Sequence, residues 1–224
     1  MNYWVRAVVA LAVAATLVSG CGKGSVAESH GDTTTTPPAR QSVTASEIES
    51  LPVPFDDVKA MAGDELQHSN ITREPTDYAA MSPTSPCFLP DSGTADVAVF
   101  GHEPLAFRNV MYTGFSNVFA EQALAVYASE SVAKDKFTRF VQGLHTCAAS
   151  HPAGMDTPSS TVNTATWQRH LSGVNLDPAT DMCAEGVKQV QNVMFRVTSC
   201  RLDNDAAIAA MMTDRITEKI NNPV

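Results

Sequence analysis

The sequence predicts an α+β fold, an antiparallel sheet with helices packed against it. Three observations carry that reading. Segments with strand character outnumber those with helical period. Most connections between them are too short for the crossover that parallel strands need. The stretch C-A-E-G-V-K-Q-V-Q-N-V-M-F-R-V-T-S-C, from Cys183 to Cys200, reads as a β-hairpin with a cysteine at each end.

The hairpin can be checked by counting. A two-residue turn at Gln191-Asn192 pairs Val190 with Val193 as the hydrogen-bonded pair that closes the loop. Hydrogen-bonded and non-hydrogen-bonded pairs alternate outward, so Cys183 faces Cys200 at a non-hydrogen-bonded site, where Cα atoms approach to roughly 4.5 Å. That lies within disulfide range. Asn192 is the residue expected to take positive φ, since the usual turn glycine is missing.

The chain has five cysteines. With Cys21 set apart, Cys87, Cys147, Cys183 and Cys200 allow three connectivities. The hairpin selects Cys183–Cys200 and leaves Cys87–Cys147. On the loop-entropy account the first bridge contributes about 3 kcal/mol and the second about 4 kcal/mol. Buried free thiols are the alternative, and an exported chain disfavours them.

Export is read from the N-terminus. Residues 1–20 carry a single charge, Arg6, followed by an apolar run over 7–18. That run is short of the ~20 residues a membrane-spanning helix needs, and it fits the apolar region of a signal peptide. Val18-Ser19-Gly20-Cys21 resembles the lipobox of bacterial lipoproteins. The resemblance implies a diacylglycerol on the Cys21 sulfur and cleavage that makes Cys21 the first residue. Two acyl chains hold a protein stably on a membrane. Residues 21–42 then form a lipidated cysteine and a disordered tether, rich in Gly, Ser, Thr and Pro, with the tract Thr33-Thr34-Thr35-Thr36-Pro37-Pro38. Its composition is also that of O-glycosylated stalks. Gly22-Lys23-Gly24-Ser25 follows no strand and lacks the upstream glycine of a phosphate loop. The folded domain is assigned to 43–224, and the expected location is the extracytoplasmic face of the plasma membrane, with the outer leaflet as a partner through Cys21.

Within the domain, Thr44-Ala45-Ser46-Glu47 has capping-box spacing and starts a short helix that Pro52 and Pro54 interrupt. A second helix over 56–62 opens with acids and ends at Gly63, a candidate left-handed cap. No steady period marks 64–92, where Cys87 sits in a Pro/Ser-rich loop. Strands are predicted over 94–101, 106–115 and 117–127. A helix over 131–148 gathers Ala133, Phe137, Phe140, Val141 and Leu144 on one face and ends near Cys147. A polar loop over 151–161 precedes a strand over 167–174 and then the hairpin. The last helix opens at Asp203 and repeats Ile208, Met212, Ile216 and Ile220 at spacing four, with Lys219 where the helix dipole favours a cation.

The C-terminal half resembles the PknH-like extracellular sensor domains of mycobacterial kinases and stand-alone mycobacterial lipoproteins. The resemblance lies in the helix ending at Cys147, in Trp167, and in Cys183-Ala184 with Asn192-Val193-Met194-Phe195-Arg196-Val197 leading to Cys200. It continues through Asp203-Asn204-Asp205 and the Ala/Ile/Met helix over 206–220. It extends over 46–220 in the order of elements and is specific after Phe115. It implies the same two bridges and a sheet with helices around a ligand-binding cleft. Where the family often has Trp, three residues before the helix-end cysteine, this chain has Leu144, so ligand choice is expected to differ.

Function classes narrow from composition. The formal net charge is −9, from 15 basic and 24 acidic residues, and no basic run offsets it. Nucleic acid is therefore not an expected partner. Gly114-Phe115-Ser116-Asn117-Val118 begins like a nucleophile elbow but lacks the second glycine. The six histidines show no metal spacing, no C-x-x-C pair occurs, and Asp56-Asp57 is explained by a helix start. No catalytic, cofactor-binding or metal-binding residues are expected. The candidates for a ligand cleft are Trp167 and Arg169, which alternation places on one strand face with Leu171, against Gln168 and His170 on the other. Tyr112, Arg108 and His102 are weaker ones. Snorkelling or pairing with an acid is the structural alternative for Arg169. The expected function is a non-enzymatic envelope lipoprotein with a sensor or ligand-binding domain, its partner an unknown small molecule or envelope protein. The rivals are an envelope serine hydrolase using Ser116 and a lipid carrier.

Overall fold

The structure, a computed structural model, describes residues 42–63, 66–77, 96–115, 118–171 and 181–222. The chain enters through a 3₁₀ helix η1 (Ala45–Ser50) and helix α1 (Phe55–Ala62). Edge strand β1 (Leu66–Thr72), helix α2 (Asp96–Phe100), and strands β2 (Ala106–Gly114) and β3 (Phe119–Val126) follow. Helix α3 (Glu130–Ser150) leads to β4 (Ser159–Ser160) and β5 (Thr164–His170). The hairpin β6 (Met182–Val190) and β7 (Val193–Cys200) precedes helix α4 (Asp205–Asn221). The seven strands make one sheet in the order β1-β2-β3-β7-β6-β5-β4, every neighbouring pair antiparallel. The α+β fold is the one expected.

Each face of the sheet has its own core. Val110, Leu124, Phe195 and Val197 face η1, α1 and α4, where Ile208, Met212, Ile216 and Ile220 form the buried stripe expected of α4. Phe107, Ala123, Ala125 and Met194 face α2 and α3, which contribute Phe100, Ala133, Phe137 and Leu144. Strands β3 and β7 are buried on both faces because they are central and helices cover each side.

The hairpin forms in the counted register, Val190 opposite Val193 and Cys183 opposite Cys200. Cys183 and Cys200 are disulfide-bonded with Cα atoms 4.1 Å apart. The turn differs from expectation in one respect. Gln191, with φ of 53°, takes the positive-φ position rather than Asn192. The Asn192 side chain is engaged elsewhere: its Oδ1 accepts from Val43 N at 2.7 Å, and its Nδ2 donates to Val43 O at 2.8 Å and Tyr127 O at 2.9 Å. Gln122 treats Val53 the same way, accepting from its N–H at 2.7 Å and donating to its carbonyl at 2.9 Å. Lys219 donates to Ser50 O and Pro52 O at 3.0 and 2.7 Å, so its partners lie on the N-terminal segment. Three side chains thus tie that segment to the sheet and to α4.

Other expectations need correction. The strand expected over 94–101 is helix α2, with 94–95 outside the described residues. Val and Phe favour strands, but tertiary contacts decide here. The Asp96 carboxylate accepts from Thr76 N at 3.1 Å, Val99 and Phe100 bury beside Phe107, and Gly101, with φ of 74°, ends the turn. Strand β1 was not legible because Leu66 alone of its seven residues is buried, which leaves no alternation to read. Strand β5 begins three residues earlier than expected, and 172–180 lie outside the described residues. Gly63 ends α1 with φ of 73° but ψ of −165°, a positive-φ cap outside the left-handed helical well. Helix α4 starts at Asp205, whose carboxylate accepts from Ser199 Oγ and Leu202 N at 2.6 and 3.1 Å. One disulfide rather than two is complete among the described residues. Cys87 lies outside them, as do Cys21, Ser116 and residues 1–41.

Two buried tyrosines set an alkaline limit on stability. Burial pushes the Tyr112 hydroxyl up to about 12 and raises that of Tyr127 further. Above pH 10 the unfolded chain releases these protons while the folded chain keeps them, so stability falls as pH rises. Tyr127→Phe removes one such group and leaves the Phe100 carbonyl without its 2.8 Å donor. Urea unfolding should show the variant less stable by about 1 kcal/mol at pH 7, with a shallower loss of stability above pH 10. An unchanged alkaline slope would contradict the assignment.

Candidate ligand groove and the charge layer behind it

Beyond α4 the sheet continues through β6, β5 and the two-residue β4, and the step between helix and strands forms a groove of about 530 Å³. Alternation sends Ala184, Gly186 and Lys188 of β6 and Thr164, Thr166 and Gln168 of β5 toward it. Ala206, Ala209, Ala210 and Thr213 of α4 form the opposite wall, with Asp156 and Asp214 at the rim. The volume falls in the range of small-molecule sites. Gly186 keeps the floor low: a Cβ there would make only ordinary contacts, 3.5 Å from Val197 Cγ2 and 3.7 Å from Thr166 Cγ2.

On the opposite face, residues of β3, β5, β6 and β7 build a buried charge layer under α2 and α3. Arg169 Nε donates to Glu185 Oε1 at 2.5 Å, and Arg196 Nη2 donates to Glu121 Oε2 at 2.6 Å. Asp96 lies 3.9 Å from Arg196, and Asn109 Nδ2 donates to Glu121 Oε1 at 2.6 Å. Burial works against the Arg196 charge, but the carboxylates of Glu121, Glu185 and Asp96 outweigh it and raise the guanidinium pKa. Trp167 Nε1, Arg169 Nη1, Glu185 Oε2 and Thr198 Oγ1 are buried in this layer without a hydrogen-bond partner among the described residues. The layer is polar and closed by protein, whereas the groove on the other face is open.

The ligand-cleft candidates named from sequence do not converge. Trp167, Arg169 and Leu171 share a face as alternation required, and all are buried. Trp167 packs on Phe140 with ring centroids 5.9 Å apart, and Arg169 pairs with an acid, the structural alternative for it. Tyr112 and Arg108 lie across the sheet on β2. There the Tyr112 hydroxyl donates to Val53 O at 2.6 Å, and Arg108 pairs with Glu49. His102 is exposed near the start of β2, and His145 contacts Ser160 Oγ at 3.1 Å. Of the sequence candidates, Trp167 is among the residues lining the groove; Gln168, Gly186 and Lys188, which also line it, were missed. A glycine within an otherwise good strand was the available signal for an open approach to the sheet.

A seven-stranded antiparallel sheet with helices on both faces and a stapled hairpin defines a disulfide-bearing α+β domain. The chain matches the family of PknH-like extracellular domains over residues 43–219, and it belongs to that family. The family puts the domain outside the cytoplasm, in agreement with the Cys183–Cys200 disulfide. Among solved structures, the chain is similar to the crystal structure of the extracellular domain of PknH from Mycobacterium tuberculosis. The two are 17% identical, with a TM-score of 0.54 over 80% of this chain and 98% of that one. No curated protein matches.

The Arg169–Glu185 pair is open to a double-mutant test. Arg169→Met removes the hydrogen-bonded partner of the buried Glu185 carboxylate and should cost about 3–5 kcal/mol in urea unfolding. Arg169→Met with Glu185→Leu should recover a large part of that loss. Additive losses would mean that the two side chains do not act as a pair.

Proposed function

We propose that the protein is a lipid-anchored, non-enzymatic sensor whose extracytoplasmic domain binds a small molecule in the groove between α4 and strands β4–β6. The observation that carries the reading is an open groove of about 530 Å³ on a domain of an extracellular family. Cys21 is the anchor, received in the outer leaflet, and residues 22–42 are the tether. A second bridge, Cys87–Cys147, ties α3 to the 78–95 segment; that Cys147 is disulfide-bonded supports it. Among the described residues no helix is long and apolar enough to cross a membrane. In this reading, sensing passes through a partner in the envelope.

One preparation tests both halves of this reading. The protein and its Cys21→Ala and Gly186→Leu variants are made in the native host and fractionated into membrane and soluble material. Each is then examined by native mass spectrometry. The wild type should sit in the membrane fraction with a small molecule bound. Cys21→Ala should move to the soluble fraction, and Gly186→Leu should stay on the membrane but lose the bound mass. Membrane retention of Cys21→Ala would defeat the anchor. An unchanged bound mass in Gly186→Leu would defeat the groove.

A further inference from the structure

Lys188 is the one cationic side chain among the described residues lining the groove. It projects from β6, an interior strand, between Thr164 on β5 and Phe195 on β7, so no acid stands directly across from it. Its ammonium has no ion-pair or hydrogen-bond partner among the described residues. Lysines on a sheet surface commonly face a cross-strand acid or extend into water; this one is half-buried in a groove wall. On the same side of the strand, Gly186 and Ala184 lead away from it as a floor of minimal height.

The groove's acids are placed differently. Asp156 lies 3.2 Å from His170 Nε2, both it and Asp214 are exposed, and the third, Glu185, is paired with Arg169 in the buried layer. Water and salt screen exposed charges far more than half-buried ones. One ammonium balances one negative charge, and a dianionic phosphate would find no second cation among the described lining residues. Trp167, the aromatic residue among the described lining residues, packs its ring on Phe140 in the core under α3.

We propose that the groove takes a slender aliphatic carboxylate, with its anionic end on Lys188 Nζ and its chain along Ala184, Gly186 and Val197. This rests on the groove being the ligand site and adds the class of ligand.

Octanoate, octylamine and octanol share one chain and differ in head-group charge. Each is titrated into the purified domain, residues 22–224, with backbone amide shifts of 184–188 followed by NMR. Octanoate should saturate with a Kd on the order of tenfold lower than either competitor, a difference of about 1.4 kcal/mol. Lys188→Gln should raise the octanoate Kd by a similar factor, Lys188→Arg should keep binding within about threefold by retaining the charge-assisted hydrogen bond, and Gly186→Leu should abolish saturation. Equal or tighter binding of octylamine or octanol, or an unaffected Lys188→Gln, would overturn the carboxylate assignment while leaving the groove as a ligand site. No saturable shift with any of the three would also overturn it; the groove itself is judged separately, by the bound mass in native-host material.

Discussion

The pairing of β6 with β7 decides what each face of the sheet is made of. Side chains alternate with period two, so a slip of one residue would exchange the faces of a whole strand. In the observed register Cys183, Glu185 and Val187 stand opposite Cys200, Thr198 and Arg196 on the α3 side, and Ala184, Gly186 and Lys188 stand on the α4 side. The disulfide holds that register at the end of the hairpin farthest from its turn. A slipped β6 would carry Glu185 into the apolar layer under α4 and put Lys188 among the aromatic residues under α3. The first would bury a charge away from its partner and the second would bury one without a partner, and each costs several kcal/mol. Covalent closure and charge burial therefore enforce the same alignment.

Around that hairpin the domain closes its N-terminal segment with side-chain amides. Asn192 at the turn and Gln122 on β3 each offer an acceptor and a donor to one residue's backbone, Val43 and Val53 respectively. An amide side chain so placed reproduces what a neighbouring strand would provide, without an added strand. The arrangement satisfies backbone groups that would otherwise be buried unpaired. It also fixes Val43, near the start of the described residues, beside the β6–β7 turn.

Much of this was legible in the sequence, and the parts that were not share a physical cause. The hairpin register followed from turn length and cysteine spacing, and α3 and α4 from their buried stripes. Strand β1 escaped because an edge strand with a single buried residue carries no periodic signal. Helix α2 escaped because five residues cannot show a period, and because long-range contacts with Thr76 and Tyr127 fix its conformation. Alternation grouped Trp167 with Arg169 correctly, yet it could not say which face would be roofed by a helix. The open face fell to the less conspicuous side, with Gln168, Gly186 and Lys188. Large aromatic and cationic residues attract a functional reading, while here they build the closed layer and the small residues leave the space.

The alignment of β6 on β7 is open to direct measurement by cross-strand Hα–Hα NOEs in a uniformly labelled domain. Non-hydrogen-bonded pairs bring Hα atoms closest. Strong NOEs are predicted for Glu185 with Thr198 and for Val187 with Arg196, in line with the disulfide pair. Strong NOEs joining Glu185 to Val197 or to Ser199 instead would show a shifted register, and the assignment of Lys188 to the groove and of Arg196 to the buried layer would fall with it.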